Sequence, residues 1–343
     1  MTHRFPIKEI ARQAGLGTAT VDRVLNDRDH VSPQTRARVA AALSELEAQE
    51  RQLSARGRRL FVDVIVEAPH RFTRQLRAAC DAVVPNLGMG VFRPRYTFHE
   101  TMTEPEVIAI LSRIRRRGSH GILLKARDLP SVAGMVDDLE AAGIPVVTIV
   151  TDIPNSARSA YVGIDNAKAG RTAAYLLAQV LGEDSGHVLT SRSQDEFEGE
   201  QLRFDNFREQ FTRLCPGYKI IEASGGAGLS RNTAQMRGKL DEVSRVDAVY
   251  SMGGGNRGIL DLLGEMNLQP RHFVAHDLDR DNVALLKAGA ISFVLHHDLK
   301  ADLEAAFQAL AVRHGLAPDT EPSGQSDVQI VTPHNIPASV FAD

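Results

Sequence analysis

Few residue patterns in this chain could do chemistry. Met252-Gly253-Gly254-Gly255-Asn256-Arg257-Gly258 is a glycine-rich stretch of the kind that cradles phosphate. It lacks the Lys-Ser/Thr pair of a P-loop, and its glycines do not follow the G-x-G-x-x-G spacing of a dinucleotide site. His296-His297-Asp298 sets three metal-ligating residues in a row. Adjacent residues on a strand point to opposite faces, so these do not converge on one ion. No H-E-x-x-H, G-x-S-x-G or paired-cysteine site occurs in the sequence. The expectation is a protein that binds rather than catalyses, with no metal and no cofactor.

Charge suggests what is bound. The 343 residues carry 40 Lys+Arg and 43 Asp+Glu, a net charge of −3. Met1–Leu60 holds 11 basic and 7 acidic residues, which leaves 29 basic against 36 acidic in the rest. A basic head on an acidic body draws a phosphate backbone to one end. The length suggests two or three domains. Apolar runs fall far short of the ~20 residues that span a bilayer, so no membrane partner is expected. The first residues show no apolar secretory core. The two cysteines, Cys80 and Cys215, make no disulfide framework. These features predict a cytoplasmic, multidomain protein.

The elements that position the basic head are short helices. Apolar residues at 7, 10, 11 and 14 predict a first helix, stopped at Gly15. Thr18 is placed to cap a second helix running from Ala19 to about Leu25. That helix turns Val21, Val24 and Leu25 inward, and Thr18, Ala19, Asp22 and Arg23 outward. Ser32-Pro33 reads as N-cap and first turn of a third helix. It extends to about Glu47, with Val39, Ala42, Leu43 and Leu46 inward. This is helix-turn-helix logic, in which the second helix enters the major groove; a plain helical hairpin shares the spacing.

The residues Ile7-Lys8-Glu9-Ile10-Ala11, Ala14-Gly15-Leu16, Ala19 to Asn26 and Val31 to Val39 resemble the DNA-binding head of the lactose/galactose repressor (LacI/GalR) family. The resemblance implies a homodimer reading near-palindromic double-stranded operator DNA. It puts Thr18, Ala19 and Arg23 at base-reading positions, and Lys8, Thr20, Asn26 and Thr35 at or near the DNA backbone. The chain departs from the family at Gly17 and Asp22, where Ser is usual. An aspartate here repels phosphate but can accept from a cytosine amino group, so the operator should differ from the common one. The linker departs too. Glu47–Leu60 has no Tyr and no Pro, where the family carries a hinge helix with a minor-groove leucine. Arg51, Arg56, Arg58 and Arg59 can track phosphates. Leu53 either supplies a wedge or continues the apolar face of helix three. The expected organisation is a head at 1–47, a linker with a degenerate hinge helix at 48–60, and a core at 61–343.

From Phe61 onward, apolar strands alternate with amphipathic helices in two successive series. Strands are predicted at Phe61–Val66, Val91–Phe98, Gly121–Leu124 and Pro145–Val150, then at Tyr161–Ile164, His187–Thr190, Lys219–Glu222, Ala248–Ser251, Phe273–Ala275, Phe293–Leu295 and Val328–Val331. Helices are predicted between them, the first at Gln75–Val84 and another at Asn232–Val243. The fold class is therefore α/β: an all-α head on two doubly wound parallel-sheet lobes with a cleft between them. The body resembles the family's sugar-binding core, a periplasmic-binding-protein-like unit. The markers are Val162–Leu177, Arg203-Phe204-Asp205-Asn206-Phe207 and Val274-Ala275-His276-Asp277. The resemblance implies three crossings between lobes, near Tyr161, Leu295 and Gln325. Lobe one then comprises about 61–161 and 295–324, and lobe two about 162–294 and 325–343.

Several cleft residues are candidates for a small polar effector, a sugar or sugar derivative. Asp165 ends a strand and either binds a hydroxyl or caps the next helix. Arg203 matches the family's ligand-binding arginine, or forms a surface salt bridge; a guanidinium fork suits vicinal hydroxyls. Asp277 follows a strand and suits paired hydroxyls. The resemblance puts ligand contacts near Gly255 and Asn256. Phe72 either stacks on a sugar face or packs in the core. Ser191, Arg192 and His297 are weaker candidates. Together these features predict a ligand-modulated transcriptional repressor. The alternative is a solute-binding protein or sugar-processing enzyme of the same core fold.

Overall fold

A computed structural model describes residues 4–28, 31–55, 59–87, 92–182, 185–192, 197–223, 229–318 and 325–338. In the head, α1 (Ile7–Ala14), α2 (Thr18–Leu25) and α3 (Pro33–Ala55) enclose Ile10, Ala11, Ala14, Val21, Val39, Ala42 and Leu46. Gly15 ends α1 with φ 62°, a left-handed conformation that glycine adopts without strain. Arg38 on α3 donates from Nη2 to the Ala14 carbonyl at 2.8 Å, pinning that turn. Ser32 Oγ accepts from the Thr35 amide at 3.2 Å, the expected cap. Thr18, expected as a cap, is instead the first residue of α2; Gly17 holds the cap position without a side chain.

The linker also differs from expectation. Helix α3 runs on to Ala55 and does not end near Glu47. The stretch Glu47–Ala55 contains no Gly or Pro, and nothing in it stops a helix already under way. The helical part of the linker is thus α3 prolonged rather than a separate hinge helix. Arg51 lies on this extension, and its side chain, like that of Leu53, falls outside the described residues. Arg56 and Arg58 lie outside them entirely.

The body forms two six-stranded sheets. The first contains β1 (Leu60–Glu67), β2 (Phe92–His99), β3 (Gly121–Lys125), β4 (Val146–Ile149), β5 (Ala160–Ile164) and β11 (Gln325–Ser326), in the order β11-β5-β4-β3-β1-β2. The second contains β6 (Gly186–Ser191), β7 (Tyr218–Ala223), β8 (Ala248–Ser251), β9 (His272–His276), β10 (Phe293–His296) and β12 (Gln329–Val331), in the order β12-β10-β9-β8-β6-β7. Among the described residues all pairings are parallel except β10 with β12. Helices cover both faces of each sheet, so inner strands are apolar on both sides. In β1, Val62, Val64 and Val66 face one core while Ile65 faces the other.

These pairings shift the crossings by a few residues. Strand β5 belongs wholly to the first sheet, so the chain leaves lobe one after Ile164 rather than near Tyr161. It returns after β10, at His297, and crosses again between β11 and β12. The helix after β1, α4 (His70–Asn86), begins directly behind Pro69 and not at Gln75. Phe72 therefore sits in its first turn. Helix α9 (Leu229–Leu240) lies three residues earlier than its apolar spacing suggested.

The tightest helix contact joins α7 (Asn166–Leu181) to α8 (Glu198–Leu214). A Cβ on Gly170 would lie 2.2 Å from the Arg203 carbonyl oxygen. Helix propensity alone predicts that Gly170→Ala stabilises by about 0.5–1 kcal/mol. The collision predicts a net loss of about 1–3 kcal/mol, measured by chemical denaturation of the full chain.

Candidate functional site

Two regions bring the candidate residues together. On the head, Thr18, Ala19 and Arg23 stand exposed along one side of α2, with Thr20 half-buried beside them. Lys8 is exposed on α1. Thr35 is half-buried and its hydroxyl lies 2.8 Å from Ser32 Oγ. Asp22 is not presented bare. Asn26 Nδ2 donates to its carbonyl and to its carboxylate, each at 2.9 Å, and Arg28 lies 3.4 Å away. Asp22 and Asn26, read separately in the sequence, form one unit.

The second region lies between the lobes, where the carboxyl ends of both sheets meet. Arg203, on α8, is 4% exposed. Its Nε donates to Asn166 Oδ1 and its Nη1 to the Met252 carbonyl, both at 2.7 Å. It is therefore buried in lobe two and is no surface salt bridge. Asp277 follows β9 in the left-handed region at φ 64°. Asn282 Nδ2 holds that turn by donating to the carbonyls of His276 and Asp277 at 2.9 and 2.8 Å. Asn256, first residue of α10 (Asn256–Glu265), donates in turn to Asn282 Oδ1 at 2.8 Å. Gly255 caps α10 at φ 91°.

The remaining candidates divide. The Asp165 side chain caps α7, accepting from the Lys168 amide at 2.9 Å. Phe72 packs against the core of lobe one. Ser191 and Arg192 are buried, and Arg192 is braced within lobe two by Gln201 and Glu222. His297 gains weight. It sits at the second crossing, bonded through Nδ1 to Asp302 of α12 (Leu299–Arg313) and 3.6 Å from Asp277. Burial opposes its protonation, but the Asp302 hydrogen bond and the charges of Asp302 and Asp277 prevail and raise its pKa.

Residues 64–313 match the periplasmic binding protein domain family, and residues 6–47 match the bacterial regulatory proteins of the lacI family. This chain belongs to the LacI family of regulators. The transcriptional regulator CelR of Thermobifida fusca is 28% identical over 259 residues, covering 72% of this chain and 73% of its own. The regulator TreR of Salmonella typhimurium is 31% identical over 132 residues. That match spans 36% of this chain and only 39% of TreR. Among solved structures, the glucose-galactose binding protein GanP of Geobacillus stearothermophilus superposes with a TM-score of 0.70 at 18% identity. The match covers 81% of this chain and 99% of GanP, and shows a shared fold.

In this LacI-type core, several cleft residues escaped the sequence reading. Lys125 ends β3, buried, with Nζ donating to the Glu67 carbonyl at 2.8 Å. Phe197 of lobe two lies 3.7 Å from that ammonium, a cation–π contact across the lobes. Burial pulls the Lys125 pKa down to about 8, against the opposing pull of Glu200 and Glu67. The available signal was a charge ending an otherwise apolar strand, which Glu67 and Lys125 share. Arg71 on α4 bridges the lobes to Asp279 at 3.3 Å and Asp281 at 3.9 Å. It comes so close to Gly254 that a Cβ there would lie 2.0 Å from its Nη2. At the first crossing the Gly199 amide donates to Thr151 Oγ1 at 3.2 Å. Beside it, burial with Asp152 and Asp128 pushes Glu198 up to about 7.

A lysine whose folded pKa lies below its unfolded value opposes folding while charged. Below pH 8 the full penalty applies. It is relieved as pH rises from 8 to 10.5, where only the unfolded state holds the proton. Lys125→Met should therefore stabilise the protein at pH 7 by about 2–3 kcal/mol. The gain should shrink toward pH 10, as followed by denaturant midpoints across that range.

Proposed function

We propose that this regulator is a homodimeric, cytoplasmic repressor of near-palindromic operators, that it catalyses nothing, and that a monosaccharide-sized polyol in its cleft modulates DNA binding. One observation carries the reading. The same chain holds a helix-turn-helix head with an exposed α2 face and a cleft in which Asp277 and His297 meet, with the charge of the buried Arg203 felt at His297. In this reading Thr18, Ala19 and Arg23 meet base edges, and Lys8, Thr20 and Thr35 meet the backbone. Asp22 and Asn26 exchange their mutual hydrogen bonds for DNA contacts. Arg51 and Arg56 track phosphates.

In the cleft, Arg203 and Asp277 hold hydroxyls, with Asp165, Gly255 and Asn256 around them. Asn256 Oδ1 is buried and accepts no hydrogen bond from a described residue, and the buried Glu67 carboxylate lies 3.4 Å from Arg127 Nε. A buried acceptor such as Asn256 Oδ1 suits a ligand rich in hydroxyl donors. GanP, by its description a glucose-galactose binding protein, supports the same size class. Phe72 supports the site from the core. The Arg71–Asp279 and Lys125–Phe197 contacts define a closed state of the lobes. An effector that prefers one lobe angle shifts that population and, with it, the pairing of the heads.

The test is a thermal-shift screen of the full chain against sugars, polyols, sugar acids and sugar phosphates. A ligand at ~100 times its Kd should add about 2.7 kcal/mol of stability. Asp277→Asn, at a partly exposed side chain, should abolish that shift and leave DNA binding intact. A blank panel, or a shift that survives Asp277→Asn, refutes the proposed site.

A further inference from the structure

The amino-terminal end of the first sheet, opposite the cleft, is strongly basic. Helix α5 (Glu104–Arg117) ends in Arg113-Ile114-Arg115-Arg116-Arg117. The short turn after it returns to β3, and the His120 amide donates to the Phe61 carbonyl at 3.0 Å. The end of α5 thus sits beside the first residues of β1, where Arg59 enters, and Arg93 is the second residue of the neighbouring β2. Two of these cations are balanced locally: Arg117 by the buried Asp63 at 2.7 Å, which also holds Arg95, and Arg115 by Asp138 at 3.3 Å. Arg59, Arg113 and Arg116 are exposed and form no ion pair with a described residue.

A cation in the last turn of a helix complements the macrodipole, and one suffices for that. Four in five residues exceed it, on a body whose overall charge is acidic. A surface hollow lined by Ser112, Arg115 and Arg116 offers a seat for an oxyanion. The position of this rim matters. Helix α3 ends at Ala55 and β1 begins at Leu60, so five Cα steps, at most about 18 Å, join the head to this end of the lobe. The linker also lacks the family's Tyr-x-Pro start.

We infer that this arginine rim is a second, sequence-independent DNA contact, holding backbone phosphates of the duplex that flanks the site held by the head. The inference rests on the DNA-binding reading above. Phosphates distant from the head then add to affinity without adding to base readout.

The test measures binding of the full chain to a mixed-sequence duplex of ~60 base pairs at ~50–200 mM salt. The double variant Arg113→Gln, Arg116→Gln changes only exposed side chains. Each lost phosphate contact should reduce the steepness of log K against log salt by about 0.9, so for each rim engaged the wild type should lose about 12-fold more affinity than the variant over that range. Arg113→Lys with Arg116→Lys should retain the wild-type slope, since a phosphate accepts either cation. An unchanged slope in the glutamine variant, beside a steep wild-type slope, overturns the rim contact and leaves the DNA-binding reading standing. Capture of an acidic protein by the wild type and not by that variant would then give the rim to a protein partner. Absence of salt-dependent binding by the wild type removes both readings.

Discussion

The Arg203 guanidinium is the point on which the second lobe is organised. It is buried, and its hydrogen bonds reach Asn166, just past the first crossing, and the Met252 carbonyl at the end of β8. A buried cation is costly unless its donors are satisfied, so the elements supplying those acceptors must hold their places. Gly170 makes this possible by letting the α8 backbone approach α7 within a distance that any side chain would deny. The same contact therefore packs the lobe and holds the guanidinium between Asn166 and the Met252 carbonyl.

Around that anchor, charged side chains join the lobes. Arg71 reaches Asp279, Lys125 lies over Phe197, and His297 lies between Asp277 of lobe two and Asp302 of α12. Such contacts suit an element with two states. Each is worth little while solvated and more once water is excluded, so closure and desolvation reinforce one another. Burial costs the Lys125 ammonium its hydration, offset in part by Glu200 and Glu67 and by the hydrogen bond to the Glu67 carbonyl.

The head is coupled to this machine by a helix. With α3 unbroken to Ala55, the path from the helix-turn-helix to β1 is short. Side chains that the family places on a separate hinge helix are absent here, and arginines stand both along this path and on the rim beyond it.

Much of this was legible in the chain. Periods of 3.6 and 2, with Gly15 and Ser32-Pro33 as punctuation, mark the helices of the head and the alternation of the body. Local pattern decides such features, because each element buries one stripe or face whatever it packs against. The run from Glu47 to Ala55 contains no stop signal, and its composition favours helix as far as Ala55, where α3 ends. Spacing could not show that Asp22 and Asn26 bond to each other, that Arg192 turns into its own lobe while Arg203 faces the crossing, or that Lys125 and Phe197 meet. Those partners lie 4, 30, 49 and 72 positions apart, and all but the first are set by which strands pair and which loops end at the cleft. The sequence by itself determined the elements, the two lobes and the family of the head. Only the tertiary structure decided which polar groups face one another, because burial and partnership depend on the whole packing rather than on the residue that carries the charge.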